Sequence, residues 1–318
     1  VTRLDAELAD APLSREAAPG PLLDLLEARE VPLGGVRGIT VHRTLPQRAL
    51  PMVGAWCFLD RFDHTSAVMR VLPHPHTGLQ TVTWPLEGDI RHRDSVGSDV
   101  VVAPGQLNMM TAGRGISHSE FSIPEEPSEM HGLQLWTALP AGVADTDPFF
   151  EQHTDLPVYR TPGLAATVML GSLGGRTSPA TMFSPLLGAD ATIDAGARVT
   201  LPLDPVFEHA VLVLSGALDI AGTTVESGPL LFLGTDRSEL EIASTDGARF
   251  VLLGGEPFDD DLVMWWNFVG RSHDEIVAAR EDWESGTGRF GSVSGHGDER
   301  IPAPPLPTVR LTPRRRRA

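Results

Sequence analysis

His74-Pro75-His76 and His118-Ser119-Glu120 each place two metal-binding side chains at positions i and i+2. A β-strand puts residues two apart on one face, whereas a helix turns them away from each other. The pairs therefore demand strands. Two such strands side by side inside a barrel would converge three imidazoles and one carboxylate on a single point. Divalent iron, manganese, nickel, copper or zinc suits that mixed donor set. Four protein ligands leave open positions on such an ion, and an open position is what a reactive metal site requires. Five of the 11 histidines, His74, His76, His92, His118 and His131, crowd into this part of the chain.

The rest of the sequence supports a β-rich reading. From about Val36, short apolar runs are cut by Gly, Pro, Asn and Asp, and the 32 Gly and 27 Pro suit many strands joined by tight turns. Ile39-Thr40-Val41, Val71-Leu72, Thr81 to Trp84, Val100 to Val102 and Leu133 to Trp136 read as strands, with turns at Gly88-Asp89, Gly97-Ser98 and Pro104-Gly105. Pro75 has no N–H to donate, which places its segment at a strand start or a sheet edge. Gly113 and Gly115 permit a tight turn that aims the His118 strand inward.

A second block follows Pro162, with strand-like runs at Ala166 to Leu170, Ala210 to Leu214 and Phe250 to Leu253. Thr83 to Gly88 and Val211 to Gly216 match as apolar strands ending in a Gly turn, a weak internal repeat that implies two barrels in tandem. Glu208-His209 is the nearest counterpart of the first ligand pair, but no His-x-His stands there and no His-x-Glu follows. The second barrel is therefore expected to be metal-free, with His209 a hydrogen-bonded core or rim residue. Ser272 and Glu275 form a capping box, Ile276, Ala279 and Trp283 share one helical face, and Gly286 can end the helix. The expected organisation is an N-terminal extension over 1–34, in which Leu22 to Leu26 forms a helical turn or two. A metal-binding barrel follows over 35–155, then a metal-free barrel over 156–270, a helix over 271–290 and a flexible tail over 291–318.

The segments His74 to Thr83 and Met110 to Glu120 resemble the two signatures of the pirin family, within the cupin superfamily. Trp56 to Asp60, His131 to Trp136 and the 272–286 helix resemble further pirin segments, so the likeness spans roughly residues 36 to 290. It departs at Gln80, where many pirins have Glu, and in the acidic N-terminal extension. The resemblance implies an all-β bicupin of two jelly-roll-like barrels, with one ion, usually iron(II), held in the first by His74, His76, His118 and Glu120. It also implies two readings of function. One is a quercetin 2,3-dioxygenase type of oxidoreductase, which cleaves a flavonol with O2 and releases carbon monoxide. There Glu120 would ligate the ion and accept the substrate's hydroxyl proton, and Trp84, Met109, Met110 and Phe121 are candidate pocket walls. The other is a non-enzymatic metal- or redox-sensing regulator that binds a transcription factor or metabolic enzyme.

Composition removes several alternatives. The formal charge of −17 opposes direct nucleic-acid binding, since the one basic run is Arg314 to Arg317 at the end of the sequence. No lysine occurs, so Schiff-base and P-loop lysine chemistry is excluded. Cys57 is the single cysteine, which rules out an intrachain disulfide. No apolar run of membrane-spanning length and no signal peptide is evident, and a cytoplasmic protein is expected.

Overall fold

Strand parity decides how this chain packs. In the computed structural model, which describes residues 20–32, 40–63 and 68–313, a seven-stranded antiparallel sheet runs in the order Phe149–His153, Leu107–Thr111, Leu79–Glu87, His131–Ala138, Trp56–Phe62, Thr40–Leu45, Arg29–Pro32. A four-stranded sheet of Arg70–His76, Ile116–Ile123, Asp89–Asp94 and Asp99–Val102 faces it and completes the first barrel. Alternate residues of the larger sheet have opposite fates. Leu59, Val82, Trp84, Met109, Leu133 and Leu135 point away from the barrel interior and join one apolar cluster with Leu186, Leu212, Val251 and Leu253 of the second barrel. Their neighbours Thr83 and Gln134 hydrogen-bond to each other on the opposite face, at 3.0 Å. Both faces are buried, so the strands carry polar residues without being at the surface.

The second barrel repeats this plan. Its main sheet runs Asp24–Leu26, Leu230–Gly234, Glu208–Ile220, Ala248–Gly255, Leu186–Ile193, Leu164–Leu170, Val158–Thr161, and Glu208–Ile220 also pairs with Thr223–Glu226 and Glu239–Ala243. Ala210, Leu212 and Leu214 face the first barrel, whereas Val211 and Val213 fill the second barrel's own core with Phe250 and Leu252. Burial on both faces explains why Ala210 to Leu214 is one unbroken apolar run. The chain does not stop at Gly216 as the repeat implies. The strand shifts register between Val213 and Ser215 and continues to Ile220.

Hydrogen bonds stitch the barrels together. Trp56 Nε1 sits 3.1 Å from the carbonyls of both Leu187 and Gly254, and Gly54 N–H donates to Glu208 at 2.8 Å. The helix His273–Ser285 forms as its capping box predicts. Ser272 Oγ accepts from Glu275 N–H, Gly286 adopts a left-handed φ of 66°, and Ile276, Ala279 and Trp283 are buried.

Two terminal expectations are corrected. Leu22 to Leu26 is not helical: Asp24–Leu26 is an edge strand paired to Leu230–Gly234, because a free edge there accepts a non-local partner. Residues 291–313 are not a loose tail. Trp283 Nε1 donates to the Ile301 carbonyl at 2.9 Å, Ile301 N–H donates to the Pro73 carbonyl at 2.8 Å, and Val293 and Ala303 are buried. Residues 1–19 and the Arg314 to Arg317 run lie outside the described residues. Among the described residues, no helix is long and apolar enough to cross a membrane.

Candidate metal centre

The two ligand-bearing strands are neighbours. Arg70–His76 and Ile116–Ile123 pair antiparallel, with His118 opposite His74 and Ile116 opposite His76. The turn that launches the second strand needs its glycine. Gly113 has a φ of 50°, and a Cβ there would meet the Thr146 carbonyl oxygen at 2.0 Å. Pro75 lies at the sheet's edge, as its missing N–H requires, and the C-terminal segment covers that edge through the Ile301 to Pro73 hydrogen bond.

The structure brings His74, His76 and His118 together, with their ligand atoms within 4.8 Å of one another. His76 Nε2 and His118 Nε2 are 3.1 Å apart. His74 Nδ1 lies 2.9 Å from the Leu72 carbonyl, which can only accept, so the ring proton sits on Nδ1 and Nε2 keeps its lone pair. Burial pushes His74 down to about 4 and holds His76 and His118 well below the ordinary histidine range. All three rings are therefore neutral near pH 7, the form that coordinates a cation. Three converging imidazole nitrogens are a donor set that suits a divalent ion.

Glu120 does not join this group of three. It faces the same lumen, opposite His92 in the strand register, and is half-buried. Burial raises its carboxyl above the ordinary carboxylate range, against the opposing pull of His92 and of the Thr83 hydroxyl.

The expected pocket walls are redistributed by parity. Trp84 and Met109 point to the barrel–barrel seam. Phe121 faces outward and meets the His296 ring edge-on at 5.2 Å. Met110 does lie inside, clustered with Cys57, Phe58, Ile116 and Trp136. The aromatic wall nearest the histidines is instead Trp136, 5.3 Å from His76 and stacked on Phe58 at 3.9 Å, together with Phe150, which stacks on His92 at 4.5 Å.

Sequence reasoning assigned no role to His92 and Asp94. Both lie on Asp89–Asp94, the other neighbour of the His118 strand. They form a third i, i+2 pair of potential ligands, and the spacing that singled out the first two was a usable signal for this one. Ser119, between His118 and Glu120, turns outward and bonds His296 at 2.9 Å. The back of the site strand is thus fastened by the C-terminal segment.

The second barrel's equivalent of the site is apolar. By topology, Arg198–Pro202 and Glu239–Ala243 correspond to the two ligand strands, and they point Val199, Leu201, Leu240 and Ile242 into the core. Glu208-His209 is not the counterpart of the first ligand pair, since its strand occupies the place of Leu79–Glu87. His209 is fully buried, and among the described residues neither ring nitrogen has a well-formed hydrogen bond, unlike the satisfied residue expected.

Two β-barrels in tandem, with a histidine cluster inside the first, define a bicupin. The chain belongs to the pirin family: the family model Pirin matches residues 38–137, and the model for the Pirin C-terminal cupin domain matches residues 188–291. It is similar to a Pseudomonas aeruginosa protein that bears the provisional name quercetin 2,3-dioxygenase, with 44% identity over 290 residues, 90% of this chain and 91% of that one. A pirin-like protein of Caulobacter vibrioides is 35% identical over 295 residues, covering 89% of this chain and all of its own. The crystal structure of a quercetin 2,3-dioxygenase from Acinetobacter baumannii superposes with a TM-score of 0.86 at 39% identity, over 91% of this chain and 97% of that one.

Proposed function

We propose that this chain is a metal-dependent dioxygenase that opens a flavonol of the quercetin type with O2 and releases carbon monoxide. The observation that carries the reading is the convergence of the buried His74, His76 and His118, with their ligand atoms within 4.8 Å of one another. The relatives named for this activity, at 44% and 39% identity, support the substrate class. The three rings would hold the ion, and Glu120, which lies outside their cluster but faces the same lumen, would have to swing in to serve as the fourth ligand. Iron(II) is the first choice, and manganese, nickel, copper and zinc accept the same donors. When bound, the ion supplies Lewis-acid polarisation and a template for an anionic oxygen beside O2.

The remaining steps fall to the chain's own groups. Glu120 carries a carboxyl of raised proton affinity inside the lumen, which suits it to accept the flavonol hydroxyl proton on a carboxylate oxygen. Thr83 can steady that carboxyl. The Phe58–Trp136 stack offers a flat apolar wall for an aromatic ring. Burial of all three histidines keeps water from competing for the reacting centre.

The test is elemental analysis of protein reconstituted with iron(II), followed by oxygen consumption and carbon monoxide release with quercetin under air. Turnover with stoichiometric metal is the expected result. Metal-loaded protein that consumes no oxygen would overturn the enzyme reading and favour a metal-sensing regulator, whose partner metal-dependent capture would then identify.

A further inference from the structure

We propose that Asp94 and His92 form a relay that fixes the ring proton of His118 on Nδ1 and so presents its Nε2 lone pair to the ion. This rests on the reading that the three histidines hold a metal. The argument begins at Asp94, whose side chain is fully buried. Its Oδ1 accepts the backbone N–H groups of Val96 and Ser98, at 3.0 and 2.9 Å. Backbone N–H groups only donate, so this carboxylate is anchored as an acceptor. Its Oδ2 faces His92 Nε2 at 3.0 Å, and that nitrogen must carry the proton.

With His92 as the neutral imidazole, its one N–H goes to Asp94, and its Nδ1 is then an acceptor. It lies 3.4 Å from His118 Nδ1, which must then donate. The proton of His118 is thereby placed on Nδ1. Its Nε2 is left bare on the side where His76 Nε2 stands at 3.1 Å. The opposite arrangement would put a proton where the ion binds. Phe150 stacks on the His92 ring with an interplanar angle of 19°, which holds the plane of the intermediary. His74 reaches the same end more simply, through the Leu72 carbonyl. Among the described residues, His118 Nδ1 meets no main-chain carbonyl and is met instead by a second imidazole with a carboxylate behind it. Groups behind a ligand set its orientation and basicity, and their loss commonly weakens metal binding about 10–100-fold. His92 and Asp94 are thus positioning residues that act through His118.

Two measurements test the relay. The first is the long-range 1H–15N spectrum of the metal-free full chain, which reads the histidine tautomers directly. His118 is expected as the Nδ1–H form in the wild type, and His92→Phe, which removes the acceptor, should move it toward Nε2–H. The second is nickel(II) affinity by chelator competition. His92→Phe is expected to lose about 10–100-fold, and Asp94→Asn a smaller factor in the same direction. Wild-type His118 protonated on Nε2, or folded His92→Phe with unchanged nickel affinity, overturns the relay. Should His92→Phe fail to fold, the wild-type tautomer and Asp94→Asn still decide. Wild-type protein that takes up no nickel would instead defeat the metal reading, and the tautomer in metal-free protein would remain decisive for the relay.

Discussion

Trp84 donates its indole N–H to the carboxylate of Asp190 at 2.9 Å, across the seam between the two barrels. The same carboxylate takes two further hydrogen bonds from Arg249, at 3.0 and 2.6 Å. One acid therefore satisfies a buried indole and partly neutralises a guanidinium that is one-third exposed. Asp190→Ala should cost about 2–4 kcal/mol, because the indole N–H is left buried and unpaired. Trp84→Phe should cost less, as it removes the donor along with its need for a partner. Urea unfolding of both variants checks the order, and equal losses would show that leaving the indole N–H unpaired carries no penalty of its own.

His76→Ala removes one of the three converging imidazoles and leaves the apolar clusters intact. Metal content is expected to fall by more than about tenfold while the circular dichroism spectrum stays β-rich. Unchanged metal content in that variant would remove the basis for the proposed centre.

Phe290 packs edge-on to Trp283 at 5.7 Å and is almost wholly buried. Phe290→Ala should destabilise the protein by about 3–5 kcal/mol, as truncation of a buried aromatic commonly does. A change near zero in a urea titration would show that Phe290 does not anchor the turn that follows the helix.

Burial lowers the His209 ring to about 4. The unfolded chain takes up a proton near pH 6.5, whereas the folded chain resists it until about pH 4. This residue's contribution to stability is thus complete above about pH 6.5 and is lost as the pH falls toward 4, by about 3 kcal/mol at most. His209→Leu should flatten the stability profile of the metal-free protein between those values. Parallel wild-type and variant profiles would show that His209 takes no part in the acid sensitivity.

What could be read from the sequence was local. The i, i+2 pairs at His74 and His118 required strands whatever the topology, and Ser272, Glu275 and Gly286 bounded the helix within a few residues. Trp84 and Phe121 were assigned to the wrong surroundings because a strand's pattern says which residues share a face, not which face looks inward. Both faces here are buried, so hydrophobicity could not decide between them. The 24–26 strand depends on a partner more than 200 positions away and has no local signature. The 291–313 segment hides sparse anchors, Val293 and Ala303, among Gly, Pro and Arg. The spacing of His92 and Asp94 is visible locally, but their linkage to His118 crosses between neighbouring strands, whose pairing no local pattern specifies.

On the strand Leu79–Glu87, Val82 and Trp84 look toward the second barrel while Thr83 looks toward the histidine-lined lumen. Substitutions at one parity reshape the lumen, and substitutions at the other change how firmly the two halves hold together. Along one strand, then, the residues that shape the cavity and the residues that weld the two halves together alternate one by one.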